Sequence, residues 1–101
     1  MKQPATLSRE EAERKVHLIL EQGAVIISGH CRRDSMRKRQ VTTLDIYNVL
    51  EHGMIIEEPA WSDKHGNWKF TVKGADIEGI ALCAVTAIFD ADLTLIVITV
   101  Y

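Results

Sequence analysis

At Gly53 the hydrophobic period of this chain changes, and that change limits its fold more than any other feature. Upstream, "LSREEAERKVHLILEQG" sets Ala12, Val16, Ile19 and Leu20 on one helical stripe. Ser8 with Glu11 three residues on makes a capping box. Glu10, Glu11 and Glu13 crowd the turns where the helix dipole favours acids, and Gly23 can end the helix. "AVIIS" is short, apolar and β-branched, and reads as a brief strand or an extended lead-in. "HCRRDSMRKRQ" has no glycine or proline and favours a helix. "TTLDIYNVLEHG" is another capped helix, started by Thr42 or Thr43, packing through Leu44, Tyr47, Val49 and Leu50, and stopped by Gly53.

Beyond Gly53 the pattern is that of strands. "MIIEEP" ends at Pro59, and "WSDKHGN" is a turn. "WKFTVKG" alternates, with Trp68, Phe70 and Val72 on one face and Lys69, Thr71 and Lys73 on the other. "ADIEG" turns the chain again. "IALCAVTAIF" and "LTLIVITVY" are apolar on both faces and belong inside a sheet, joined by a turn at "DAD". This order predicts an α+β fold: an antiparallel sheet of four to five strands packed by two or three N-terminal helices. "MIIEE" or "WKFTVKG" would form an edge open to β-pairing, including with a second copy of the chain.

One domain suits 101 residues, with the first 23 as an accessory helix and residues 24–101 as the core. An apolar share of 47% beside 26% charged residues excludes a disordered or fibrous chain. No apolar run reaches the roughly 18 to 20 residues of a membrane helix, so no membrane partner is expected. "MKQPATLSREE" has no apolar stretch and predicts no export signal. Cys31 and Cys83 then read as free thiols of a cytoplasmic protein. Net charge is -2, so nucleic-acid binding would have to come from a local patch.

One such patch exists. "HCRRDSMRKR" holds five of the twelve Lys and Arg residues within residues 30–39. On an α-helix, His30, Arg33 and Arg37 fall within about 60° of one another, with Asp34 beside them and Met36 toward the core. Two planar guanidiniums suit a phosphate. An imidazole set among like charges favours its neutral form, as a general base requires. The alternative is a solvated basic helix paired with the acidic first helix.

Two further groups are candidates. In "LTLIVITVY" an alternating strand puts Leu93, Leu95, Val97, Thr99 and Tyr101 on one face. Thr99 and Tyr101 would then be a polar end to an apolar row, with Tyr101 able to stack on a base or bond a phosphate. The other reading makes Thr99 a core residue and Tyr101 a frayed end. Trp61 and Trp68, with Lys64, Lys69 and Lys73, form either a nucleic-acid platform or a cross-strand pair holding a hairpin. No CxxC, HxxxH or HExxH spacing occurs, so neither metal nor cofactor is expected. Cys31 beside His30 lacks the further partners of a reactive thiol.

These motifs together carry a resemblance. "H-x-R-x-D-S-M-x-K-R", the "DIYNVLEHG" helix, "P-x-W-x-x-x-H-G-N-W-K-F" and the terminal "I-x-V-I-T-V-Y" resemble a domain-of-unknown-function family of small bacterial proteins. Many of these are regarded as type II toxins, encoded beside zinc-ribbon, helix-turn-helix antitoxins of the MqsA kind. The resemblance covers residues 25–101. In element order that family is similar to RelE/MqsR-like and barnase-like ribonucleases. It implies a metal-independent endoribonuclease, in which the 2′-hydroxyl of RNA, with mRNA a candidate substrate, attacks the neighbouring phosphodiester, and an antitoxin as protein partner. It also implies His30 as acid–base group, Arg33 and Arg37 (or Arg39) as charge stabilisers, and Tyr101 as stacking or proton-donating partner. Arg32, Lys38, Arg39, Lys69, Lys73 and Thr99 would bind RNA. A non-catalytic module that grips RNA or a protein through the same basic helix is the alternative.

Overall fold

Ser8 begins the first helix as its spacing predicts. The computed structural model describes residues 5–89 and 92–101. Helix α1 spans Arg9–Gln22, and Ser8 and Glu11 complete the capping box in both directions. Its stripe of Ala12, Val16 and Ile19 is buried. Strand β1 follows at Ala24–Ile27, then a π-helical turn at Cys31–Ser35 that runs into α2, Met36–Arg39. Helix α3 spans Thr43–His52, capped by Thr42. Strands β2 (Met54–Ile55), β3 (Ala60–Ser62), β4 (Asn67–Ala75), β5 (Ala81–Phe89) and β6 (Thr94–Val100) complete the chain. Of the expected "DAD" turn, Asp90 and Ala91 lie outside the described residues.

The fold is α+β, with N-terminal helices packed on an open sheet, but the sheet is mixed and, among the described residues, has six strands. Its order is β1-β6-β5-β4-β2, with β3 also on β4. The expectation of a purely antiparallel sheet of four to five strands fails at two places. First, β1 pairs in parallel with β6, Ile26 opposite Ile96. A parallel pair needs a long crossover, and nothing local in four apolar residues names so distant a partner. Second, "MIIEEPAWS" makes two short strands, since Pro59 cannot donate a ladder hydrogen bond. Both flank β4, so "WKFTVKG" is an interior strand rather than an edge.

Helix α3 is turned relative to its expected packing face. Leu44 is 69% exposed and Tyr47 also faces outward, while Ile46, Val49 and Leu50 are buried. Asp45 explains the turn. Its carboxylate accepts from the Thr42 N–H at 2.7 Å and, on its other oxygen, from the Ile77 N–H at 3.1 Å. An aspartate that must face the β4–β5 turn carries Ile46 and Val49 inward with it. The helix ends tightly on the sheet: a Cβ at Gly53 would lie 2.5 Å from the Val49 carbonyl oxygen and 2.7 Å from that of Lys73.

Strand β6 does not alternate throughout. Thr86 pairs with Val97 and Val85 with Thr99, leaving Ile98 as the extra residue of a bulge. Leu95, Val97 and Val100 therefore face the helices, and Thr99 and Tyr101 lie on the helix-free face. The expected row of Leu93, Leu95, Val97, Thr99 and Tyr101 is broken there, since a one-residue slip exchanges faces. The core is a single cluster in which Ile19, Ile46, Leu50, Phe70, Leu82, Ile88, Leu95 and Val97 are nearly or wholly inaccessible. No helix among the described residues is long and apolar enough to cross a membrane.

Candidate functional site

Beyond Val97 no strand of the described sheet pairs with the outer edge of β6, because β1 ends there. The helical segment after β1 covers that edge with serine side chains. The Ser28 hydroxyl donates to the Ile98 carbonyl at 2.8 Å and accepts from the Cys31 N–H at 3.0 Å. One residue thus ties down the bulge and caps the helical turn. Ser35 accepts from the Val100 N–H at 3.3 Å and donates to the Cys31 carbonyl. Both Cys31 and Ser35 are buried against the strand.

The π-helical turn changes which residues line up. Its closing bond runs from the Met36 N–H to the Cys31 carbonyl, one residue more than an α-helical turn. The expected His30–Arg33–Arg37 row is replaced by His30, Asp34 and Lys38. These residues, with Ser35 and Arg39, form one wall of an open cleft of about 280 Å³, and Thr99, Val100 and Tyr101 form the other. His30 is therefore brought to the Thr99–Tyr101 strand end. Its Nδ1 lies 3.1 Å from the Asp34 carboxylate, an exposed pair. Arg39 donates to the Ala81 carbonyl at 2.9 Å, which fixes its guanidinium at the mouth.

Arg33 and Arg37 are not among the cleft's lining residues. The Arg33 guanidinium lies back against Gly29, where an added Cβ would sit 2.7 Å from Nη1. Arg32 and Arg37 are exposed on the helical segment. Ser28 and Ser35, which tie down the backbone, are the site residues that the sequence pattern did not single out, and Asp34 was placed beside the basic row without a role. For Ser28 the "S-G-H-C" spacing was the available signal, since serine three residues before a helical N–H is a cap pattern.

Lys69 and Lys73 stand on the helix-free face of β4, the face that also carries Thr99 and Tyr101. Cys83 lies opposite Tyr101 in β5, and the two exchange backbone hydrogen bonds of 2.8 and 3.0 Å. Cys83 above all, then partial burial and the Glu57 carboxylate, push the Tyr101 phenol above its ordinary range, against a smaller pull from Thr71. The phenol is thus protonated at neutral pH. Those neighbours lie across the sheet from His30, so Tyr101 offers the cleft a ring surface more than a hydroxyl.

Trp61 and Trp68 are direct cross-strand partners, edge to face at 5.3 Å, with Trp68 buried. They hold the β3–β4 hairpin as a cross-strand pair. Among the described residues no three His, Cys, Asp or Glu side chains gather as a metal site.

No curated protein and no solved structure matches the chain. A protein-family comparison matches residues 27–101, from the end of β1 through Tyr101, so both walls of the cleft fall inside the matched region and α1 outside it. The chain belongs to the family described as a domain of unknown function, DUF4258.

Proposed function

We propose that this chain is a metal-independent endoribonuclease, acting in the cytoplasm as the toxin of a toxin–antitoxin pair, with RelE- or barnase-like architecture. The observation that carries the reading is the meeting of His30, backed by Asp34, with Lys38, Arg39 and Thr99 in one cleft. Asp34 at Nδ1 leaves Nε2 of His30 free toward substrate. In that tautomer Nε2 takes the proton of the RNA 2′-hydroxyl as its oxygen attacks phosphorus. Lys38 and Arg39 stabilise the charge on the pentacoordinate phosphorus. The P–O5′ bond breaks, leaving a 2′,3′-cyclic phosphate; the departing oxygen takes a proton from water, which the open cleft admits, and the hydroxide left behind takes the proton held on His30, which regenerates the neutral imidazole. Tyr101 stacks on the adjoining base. A cognate antitoxin would be expected to cover this cleft.

The exposure of the His30–Asp34 pair favours a second reading, a non-catalytic module that holds RNA in the same cleft. Incubating purified protein with RNA in excess chelator separates the two. Fragments ending in 2′,3′-cyclic phosphate, together with growth arrest on expression, support the nuclease. Salt-sensitive binding of intact RNA supports the module.

A further inference from the structure

An open sheet must deal with its edges, because unpaired ladder groups invite another strand. Most of the edges here are closed by the chain itself. The Ile55 N–H of β2 donates to the Glu13 carboxylate of α1 at 2.9 Å. Exposed Glu57 and Glu58 follow, and Pro59 has no N–H to offer. Strands β2 and β3 are two and three residues long, lengths that blunt an edge. On the other side, Ser28 and Ser35 hold the end of β6. Among the described residues that leaves the outer edge of β1, Ala24–Ile27, which carries neither a charge nor a proline.

The ladder with β6 fixes which groups that edge presents. The Ala24 N–H donates to the Leu93 carbonyl and the Ser28 N–H to that of Val97, both at 2.9 Å. Alternate residues of a strand bond the same neighbour, so Ala24, Ile26 and Ser28 face β6. Val25 and Ile27 therefore aim their N–H and C=O groups outward, where no strand of the described sheet pairs with them. Between them, the Ile26 side chain is 49% exposed on the helix-free face, in line with Ile96 of β6.

We propose that β1 pairs with the β1 of a second copy of this chain, antiparallel about a two-fold axis at Ile26. In that register Val25 of each copy lies opposite Ile27 of the other, and each such pair exchanges both ladder hydrogen bonds. Every outward group of the strand is then satisfied. Centring on Val25 or Ile27 instead would set the other residue opposite a position outside β1. Ile26 meets its own copy as the close, non-hydrogen-bonded pair, and the Ile96–Ile26 row continues across the axis. Charge favours the same sense. One end of β1 joins the last turn of α1, which has no basic residue and carries exposed Glu21. The other end leads to exposed Arg32 and Arg33. Antiparallel pairing sets these unlike ends side by side. The two-fold also closes the assembly, so it stops at two copies. A strand pair about 13 Å long is small for an interface, and the dimer is a weak one.

Analytical ultracentrifugation of the full chain from about 5 to about 500 μM should show monomer passing to dimer, with a Kd of about 10 to 100 μM. Ile26→Lys sets two ammonium groups side by side on the axis and should weaken the dimer at least about tenfold. Ile26 is exposed, so this variant should keep the wild-type melting temperature in dilute solution. Cross-linking with oxidised glutathione, in a Cys83→Ser background, reads the register. Ile26→Cys should form a disulfide between copies, because Cα atoms of a non-hydrogen-bonded pair lie about 4.5 Å apart. Ala24→Cys should not, because its two copies would stand about 14 Å apart along the strands. A wild type that stays monomeric at every concentration would overturn the dimer and leave the edge to a strand of another protein. An undiminished dimer in Ile26→Lys would overturn it too, and so would equal cross-linking at the two cysteine positions.

Discussion

Asp45 shows how far one side chain decides both packing and pH response. The Thr42 N–H, above all, and the Ile77 N–H hold its carboxyl below the ordinary aspartate range, against the opposing effect of burial. A depressed folded pKa contributes stability that is fully present above the ordinary value, near 4, and is lost as pH falls through the folded value. Asp45→Asn should therefore lose about 1 to 3 kcal/mol at pH 7, with the deficit shrinking toward pH 3, as urea unfolding at the two pH values would read. An equal deficit at both would mean that the charge plays no part. The capping residues Ser8, Glu11 and Thr42 were legible in the sequence because a cap is a local pattern. The second bond of Asp45 was not, because Ile77 is 32 positions away. That bond is also why Leu44 and Tyr47 face outward and Ile46 joins Val49 and Leu50 in the core.

The helical segment and β6 form a unit that neither sequence pattern reveals alone. A π-helical turn and a β-bulge each add one residue to a regular period, and period is what sequence reading relies on. Counting at 100° per residue gave His30, Arg33 and Arg37; the wider turn gives His30, Asp34 and Lys38. Counting by twos put Thr99 with Val97; the bulge at Ile98 sends it to the other face. The two irregularities meet at Ser28 and Ser35, whose hydroxyls bond the edge of β6. Ser35→Ala should leave the buried Val100 N–H without its partner and cost about 1 to 3 kcal/mol in a urea titration. A wild-type midpoint would show that water replaces the hydroxyl. Gly53→Ala should cost a similar amount, about 1 to 3 kcal/mol of overpacking, because its Cβ would press on two carbonyls. Thermal melting would read that loss, and an unchanged melting temperature would show that α3 can move off β4.

For the whole molecule, the division into a helical first half and a β second half was plain from the change of period, and it was enough to give the α+β class. The parallel β1–β6 pair was hidden because strand partners far apart in sequence leave no local trace. That pair matters to the site: it ends at Val97 and leaves the rest of β6 for the basic segment to line. Charge acts at this scale as well. The chain carries a net charge of -2, so under the proposed function RNA attraction would have to come from the few cations on one surface. Three to four phosphates neutralised by Lys38, Arg39, Lys69 and Lys73 would give a slope of about -2 to -3 in log affinity against log salt. Lys38→Ala should make that slope shallower by about 0.7, and Arg32→Ala, outside the cleft, should leave it alone. Equal effects from both would point to a diffuse basic helix.

One cleft joins His30 to the end of β6, and Arg33 stands outside it. Initial rates of RNA cleavage in chelator, compared among the wild type, His30→Ala and Arg33→Ala, test it most directly. His30→Ala should lose about 100-fold or more, and Arg33→Ala should stay within about threefold of the wild-type rate. No cleavage by the wild type, full activity in His30→Ala, or equal losses in the two variants would contradict it.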